Sequence, residues 1–152
     1  MLVHSGTRRA TILIAEDDED SRQVMRMLLE MHGFGVLEAA DGQAALEMAR
    51  RSPPDLILMD LKMPVLNGLA ATRAIRQSGD ARLRRVPVVA LSAYDPTQHR
   101  QVAAAAGCDD YVVKPVDYER LETLIEKLVE RAQAVAVGEA AGAKHASGNL
   151  AL

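Results

Sequence analysis

The sequence has 152 residues, enough for one domain with a buried core and too few for two independent ones. With 49% hydrophobic and 26% charged residues it has the composition of a globular protein, and one Phe, three Tyr and no Trp leave the packing to Leu, Ile, Val, Ala and Met. A net charge of -3 argues against DNA, RNA or an anionic membrane as the main partner, while a lone Cys108 and the lack of a long apolar run argue against a disulfide, a signal peptide core or a membrane span, so a cytoplasmic protein is expected.

In chain order, residues 1–10 are polar and aperiodic and are expected to form a flexible lead. The domain proper is expected over 11–134. Ile12 to Ala15 reads as a strand that stops at Glu16, Asp17 and Asp18, with Asp18 placed to cap the helix Asp20 to His32 before Gly33. Val36 to Leu37 is a second strand, ending at Glu38, and Gln43 to Arg51 is helical. Leu56 to Met59 is a third strand that ends on Asp60 and turns through Lys62, Met63 and Pro64 to Gly68, ahead of a helix over Leu69 to Gln77. Arg82, Arg84 and Arg85 then read as a solvated loop. Val86 to Leu91 is a fourth strand, followed by Ser92, and Asp95 with Pro96 fits a cap and first position for the helix Pro96 to Ala106, which Gly107 ends. Tyr111 to Val113 is the fifth strand and runs into Lys114 and Pro115. The last helix, Asp117 to about Ala134, carries Leu121, Leu124, Ile125 and Leu128 on one docking face. Residues 135–152 are rich in Ala and Gly and are expected to form a flexible tail, too short for an output or DNA-binding domain.

Five alternations of strand and helix imply an α/β fold, because parallel neighbours need crossover connections that cover both sheet faces. For five doubly wound strands the expected order is 2-1-3-4-5, with ligands outside the carboxyl ends at the switch point. Glu16, Asp17, Asp60, Ser92 and Lys114 all follow strands that this order makes adjacent. Two carboxylates about 4 Å apart repel by roughly 4 kcal/mol at an effective dielectric near 20, so a cation belongs among these acids. Hard oxygen ligands suit Mg²⁺, Lys114 adds a fixed positive charge, and Ser92 offers a hydroxyl to an anionic oxygen. A carboxylate in such company is equipped to attack phosphorus.

The segments ILIAEDDED, DLILMDLKMPVLNG, VVALSAYD and GCDDYVVKP, in that order, resemble the signature segments of the receiver domain of two-component response regulators, of the single-domain, chemotaxis-regulator-like type. The resemblance covers about Thr11 to Arg131 and implies a flavodoxin-like (βα)5 fold. It implies that Asp60 is the phosphoacceptor, that Glu16, Asp17, Asp60 and the Lys62 backbone carbonyl hold Mg²⁺, that Lys114 contacts a phosphoryl oxygen, and that Ser92 and Tyr111 form the switch. It also implies a cis Lys114–Pro115 bond, a sensor histidine kinase or histidine phosphotransfer protein as donor, and a downstream protein target, with neither direct DNA binding nor membrane insertion. On phosphorylation Ser92 is expected to be drawn to the new oxygens and Tyr111 to rotate inward, with the thinly apolar Pro96 to Ala106 helix as the bistable element. The competing reading is a Mg²⁺-dependent aspartyl-phosphate phosphatase or phosphotransferase acting on small phosphoesters, but such enzymes want a second acid two places past the nucleophile, where Lys62 stands. The scattered His4, His32, His99 and His145 lack ligand spacing, and Met25, Met27 and Met31 read as core filler.

Overall fold

The computed structural model describes residues 9–149, with side chains described through residue 138. Strands β1 (Arg9–Ala15), β2 (Phe34–Ala39), β3 (Leu56–Asp60), β4 (Val88–Ser92) and β5 (Asp110–Val113) form one parallel sheet in the order β2-β1-β3-β4-β5. This is the order expected of a doubly wound sheet. The connections are α1 (Glu19–Met31), α2 (Gly42–Arg51), α3 (Gly68–Arg76), the single turn α4 (Ala81–Arg84) and α5 (Pro96–Ala106), and the chain closes with α6 (Tyr118–Asn149).

Because strand side chains alternate, each central strand feeds two cores. Ile12, Ile14, Leu56, Leu58, Val89 and Leu91 pack toward Met25 and Leu29 of α1 and Leu121, Ile125 and Leu128 of α6. Leu13, Ala15, Ile57, Met59 and Val88 face α2 and α3 through Ala45, Ala49, Ala71 and Ile75. A fully buried Leu or Ile contributes about 1.5–3 kcal/mol, so the two faces together fix the sheet. The contrast with α5 is sharp, since it buries only Ala103 and Ala106. Helix starts are fixed locally: the side chains of Asp18, Asp41, Asn67, Asp80 and Asp95 each accept an amide of the first turn, worth about 1 kcal/mol apiece. Gly107 takes the left-handed conformation that ends α5.

Four details differ from the sequence reading. The stretch after α3 is not all loop, because Asp80 caps the turn α4. Of the three methionines only Met25 is core; Met27 and Met31 are 62% and 74% exposed, since two and six residues on from a buried helical position point away from the sheet. Arg9 and Ala10 belong to β1 and not to a lead, because the Arg9 guanidinium bonds the His32 carbonyl, Glu122 and Glu126 and lies 4.1 Å over the Phe34 ring; residues 1–8 of the lead lie outside the described residues. Finally, α6 continues through Asn149 past the expected end near Ala134. Alanine is the strongest helix former and no proline follows Pro115, so glycines costing about 1 kcal/mol each do not stop it. Residues 150–152 lie outside the described residues. Among the described residues, no helix is long and apolar enough to cross a membrane.

Candidate functional site at the carboxyl edge of the sheet

Strand register decides which side chains meet. Ala15 pairs with Met59, so the next residues, Glu16 and Asp60, emerge side by side at the carboxyl edge. Asp60 pairs with Leu91 and Ser92 with Val113, which sets Ser92 and Lys114 at the same rim. The Lys114–Pro115 bond is cis, as the sequence resemblance implies.

The Lys114 ammonium donates to Glu16 Oε2 at 2.8 Å and to Asp60 Oδ2 at 3.0 Å. Main-chain amides hold the other two oxygens: Asp18 N–H donates to Glu16 Oε1 at 3.2 Å, and Lys62 N–H to Asp60 Oδ1 at 2.9 Å. Both carboxyls are buried, Glu16 at 2% and Asp60 at 5% exposure. Asp17 is exposed, yet its carboxylate joins them in a set of oxygens all within 4.8 Å of one another. Burial raises the Glu16 carboxyl above its ordinary value, the Asp60 side chain adds to this, and Lys114 opposes it. At Lys114 burial disfavours the ammonium, but the two acids outweigh it and hold the amine above its ordinary value. Three carboxylates against one ammonium leave the cluster negative, a donor set that fits a small hard dication.

The β3–α3 loop is built around the same residue. A Cβ on Gly68 would lie 2.1 Å from the Asp60 carbonyl oxygen, so only glycine allows α3 to start this close. Met63 is buried beneath the loop, and Val65 takes a left-handed backbone conformation with φ 67°, costly for a β-branched residue.

On the other side of Asp60, Ser92 is buried and its Oγ accepts the Tyr94 amide at 3.0 Å, bonding its own loop and not Asp60. The Tyr111 ring is buried against Leu61, Ala90 and Ala103, and its hydroxyl donates to the Tyr94 carbonyl at 3.1 Å. Tyr111 thus already sits inward, the arrangement that the sequence reading ties to phosphorylation. Tyr94 also stacks on His99 with ring centroids 4.8 Å apart. Two neighbours went unrecognised in the sequence. Arg22 donates to the Glu16 carbonyl at 2.8 Å and pairs with Glu38 at 3.4 Å, and the partly buried Tyr118 hydroxyl is raised above its ordinary value by burial and then by Glu16. Only an arginine one turn into α1 hinted at the first, and nothing in the local sequence at the second.

A family model for the response regulator receiver domain matches residues 12–126. Among curated proteins, the chain is 38% identical over 120 residues to the response regulator MprA of Mycobacterium leprae, covering 79% of this chain and 51% of that protein. It is 34% identical over 115 residues to the polar-differentiation response regulator DivK of Brucella ovis, covering 75% and 92% respectively. Curated relatives thus include proteins of which this chain spans about half the length. Among solved structures, the receiver domain of a sensor histidine kinase of Pseudomonas aeruginosa, which has a magnesium ion coordinated in its active-site cleft, superimposes with a TM-score of 0.73 at 36% identity, covering 80% of this chain and 98% of that one. The Vibrio cholerae chemotaxis protein CheY4 gives 0.72 at 28% identity, with 78% and 98% covered.

Proposed function

Because this chain belongs to the response regulator receiver domain family, we propose that it accepts a phosphoryl group on Asp60 from a sensor histidine kinase or a histidine phosphotransfer protein and signals through a change in its protein contacts. The observation that carries this is Asp60 itself: a buried carboxylate at the end of a central strand, gripped at one oxygen by the Lys62 amide and at the other by the Lys114 ammonium.

In the transfer, one Asp60 oxygen forms the new O–P bond while the P–N bond of a phosphohistidine breaks and the imidazole nitrogen keeps the electron pair. The buried strand holds the nucleophile still, which removes the orientational part of the barrier. Lys114, already within 3.0 Å of Asp60, offers its ammonium to a phosphoryl oxygen. Ser92 exchanges its bond with Tyr94 for one to the phosphoryl group, and Tyr111 follows the loop through its hold on the Tyr94 carbonyl. Glu16, Asp17, Asp60 and the Lys62 carbonyl would hold Mg²⁺, which when bound neutralises charge on the phosphoryl oxygens. The magnesium in the Pseudomonas relative supports that choice of metal. Phosphorylation and hydrolysis are self-catalysed on this reading, the task being switching and not metabolite turnover, and the setting is the cytoplasm. The phosphoester-processing alternative is not favoured, since the reported matches are receiver domains.

The test is incubation with acetyl phosphate and Mg²⁺ followed by intact mass measurement. Wild type should gain one phosphoryl group and Asp60→Asn none; labelling of the Asn variant overturns the assignment. Mg²⁺ should raise the melting temperature of wild type but not of Asp17→Asn, since a ligand that binds the native state stabilises it.

A further inference from the structure

At the amino edge of the sheet, the end opposite Asp60, α6 and the α3–β4 connection enclose an open groove of about 1000 Å³. One wall is helical: Val129, Ala132, Val135 and Ala136 line it, at the spacing that puts residues on one face of a helix. This wall lies wholly beyond residue 126, where the receiver family match ends. The facing side is basic. Arg82, Arg84 and Arg85 reach it from α4 and its cap, while Arg131 lines the groove from the helical wall.

Five arginines and two aspartates line the groove in a chain whose overall charge is -3, so positive charge is concentrated here. Both acids are engaged by the fold. Asp109 accepts the Val88 amide at 2.8 Å and Arg76 at 2.9 Å, and Asp55 accepts the Thr11 amide at 2.8 Å. Arg76 and Arg84 bond main-chain carbonyls, but two of the arginines are less committed: Arg82 is 67% exposed at its side chain with a 3.8 Å contact to Asp55, and among the described residues no carboxylate pairs with Arg131. Val135 is 54% exposed on the apolar wall.

We propose that this groove docks an acidic amphipathic helix of a partner protein, its apolar face against Val129, Ala132, Val135 and Ala136 and its carboxylates toward Arg82 and Arg131. An apolar strip bordered by arginines is the make-up of a protein interface. From residue 128 to residue 136 the helical wall runs about 12 Å, room for roughly two turns of a docked helix. A small polar ligand fits less well, because the groove is open along its length and, among the described residues, every buried side-chain nitrogen and oxygen already has a hydrogen-bond partner.

Fluorescence anisotropy of a labelled peptide of ~18 residues, about five helical turns, with Leu on one face and Glu on the other, titrated with the full chain, tests this. Binding should weaken with salt and fall by about tenfold or more in Arg82→Glu/Arg131→Glu and in Val135→Asp. Both variants alter exposed positions remote from Asp60, so their melting temperature and acetyl phosphate labelling should match wild type, separating this test from that of the phosphoacceptor. Equal binding of a Lys-for-Glu peptide, loss-free binding by the variants, or stronger competition by a short oligonucleotide than by unlabelled peptide would overturn the proposal.

Discussion

Replacing Gly68 by alanine adds one methyl group at the tightest point behind Asp60. The new Cβ would stand 2.1 Å from the Asp60 carbonyl oxygen, 2.9 Å from its carbonyl carbon and 2.9 Å from the Leu61 Cα. All three are backbone atoms, so no side chain can swing aside. Ordinary contact begins at 3.4 Å, and 3.4 minus 2.1 means the start of α3 and the end of β3 must separate by about 1.3 Å. Overpacking of this kind costs typically 1–3 kcal/mol, and at about 3 °C per kcal/mol for a chain of this size a melting temperature lower by about 6 °C is expected. The same movement displaces Asp60 and the Lys62 amide that holds it, and a misplacement of about 1 Å lowers the rate of phosphorylation by about 100-fold. Thermal melts and the time course of acetyl phosphate labelling measure the two effects. Gly79→Ala is the control: nothing lies within 4 Å of its Cβ, and alanine there should be neutral or stabilising by up to about 1 kcal/mol. If Gly68→Ala melts within about 1 °C of wild type and is labelled at the same rate, the close approach is not what makes glycine necessary.

Three further outcomes follow from the site. Glu16 has a folded-state pKa raised by burial and then by Asp60, so its protonated form is favoured by the native state; stability is greatest below the unfolded value and lost as pH rises through the folded one. Glu16→Gln should therefore raise the melting temperature at neutral pH in magnesium-free buffer and flatten that slope, and a lower melting temperature at every pH would contradict it. Val65→Gly relieves a left-handed β-branched residue and should stabilise by about 1 kcal/mol in a urea titration, whereas destabilisation would mean that the conformation carries no strain. Tyr111→Phe deletes the 3.1 Å bond to the Tyr94 carbonyl and should cost about 1 kcal/mol, with faster amide exchange confined to the Ser92 to Pro96 loop; unchanged exchange there would show that the hydroxyl does not hold the loop.

The carboxyl edge could be read from the sequence because each strand passes abruptly from apolar residues to a polar one, and a parallel sheet turns such endings into neighbours. Glu16, Asp60 and Lys114 were found for that reason. Asp18 and Asp95 were legible as caps because capping is local. What was not legible depends on distant partners. Arg9 joins the sheet through Glu122 and Glu126, more than a hundred residues away, and the inward Tyr111 is settled by packing against Leu61 and Ala103. The extension of α6 was missed because a run of Ala and Gly balances strong helix propensity against weak, and composition alone does not tip it.

One rod touches both ends of this domain. Helix α6 begins at Tyr118, four residues beyond the lysine that pairs with Asp60, and its wall over the arginine groove extends to Ala136, about 27 Å further along at the usual rise. A helix resists stretching along its axis, so a displacement at its root reaches the far end undiminished, and a tilt of about 3° over that length becomes a sideways movement of about 1.4 Å. On the proposed function, such a strut would turn a small change beside Asp60 into a change in groove width.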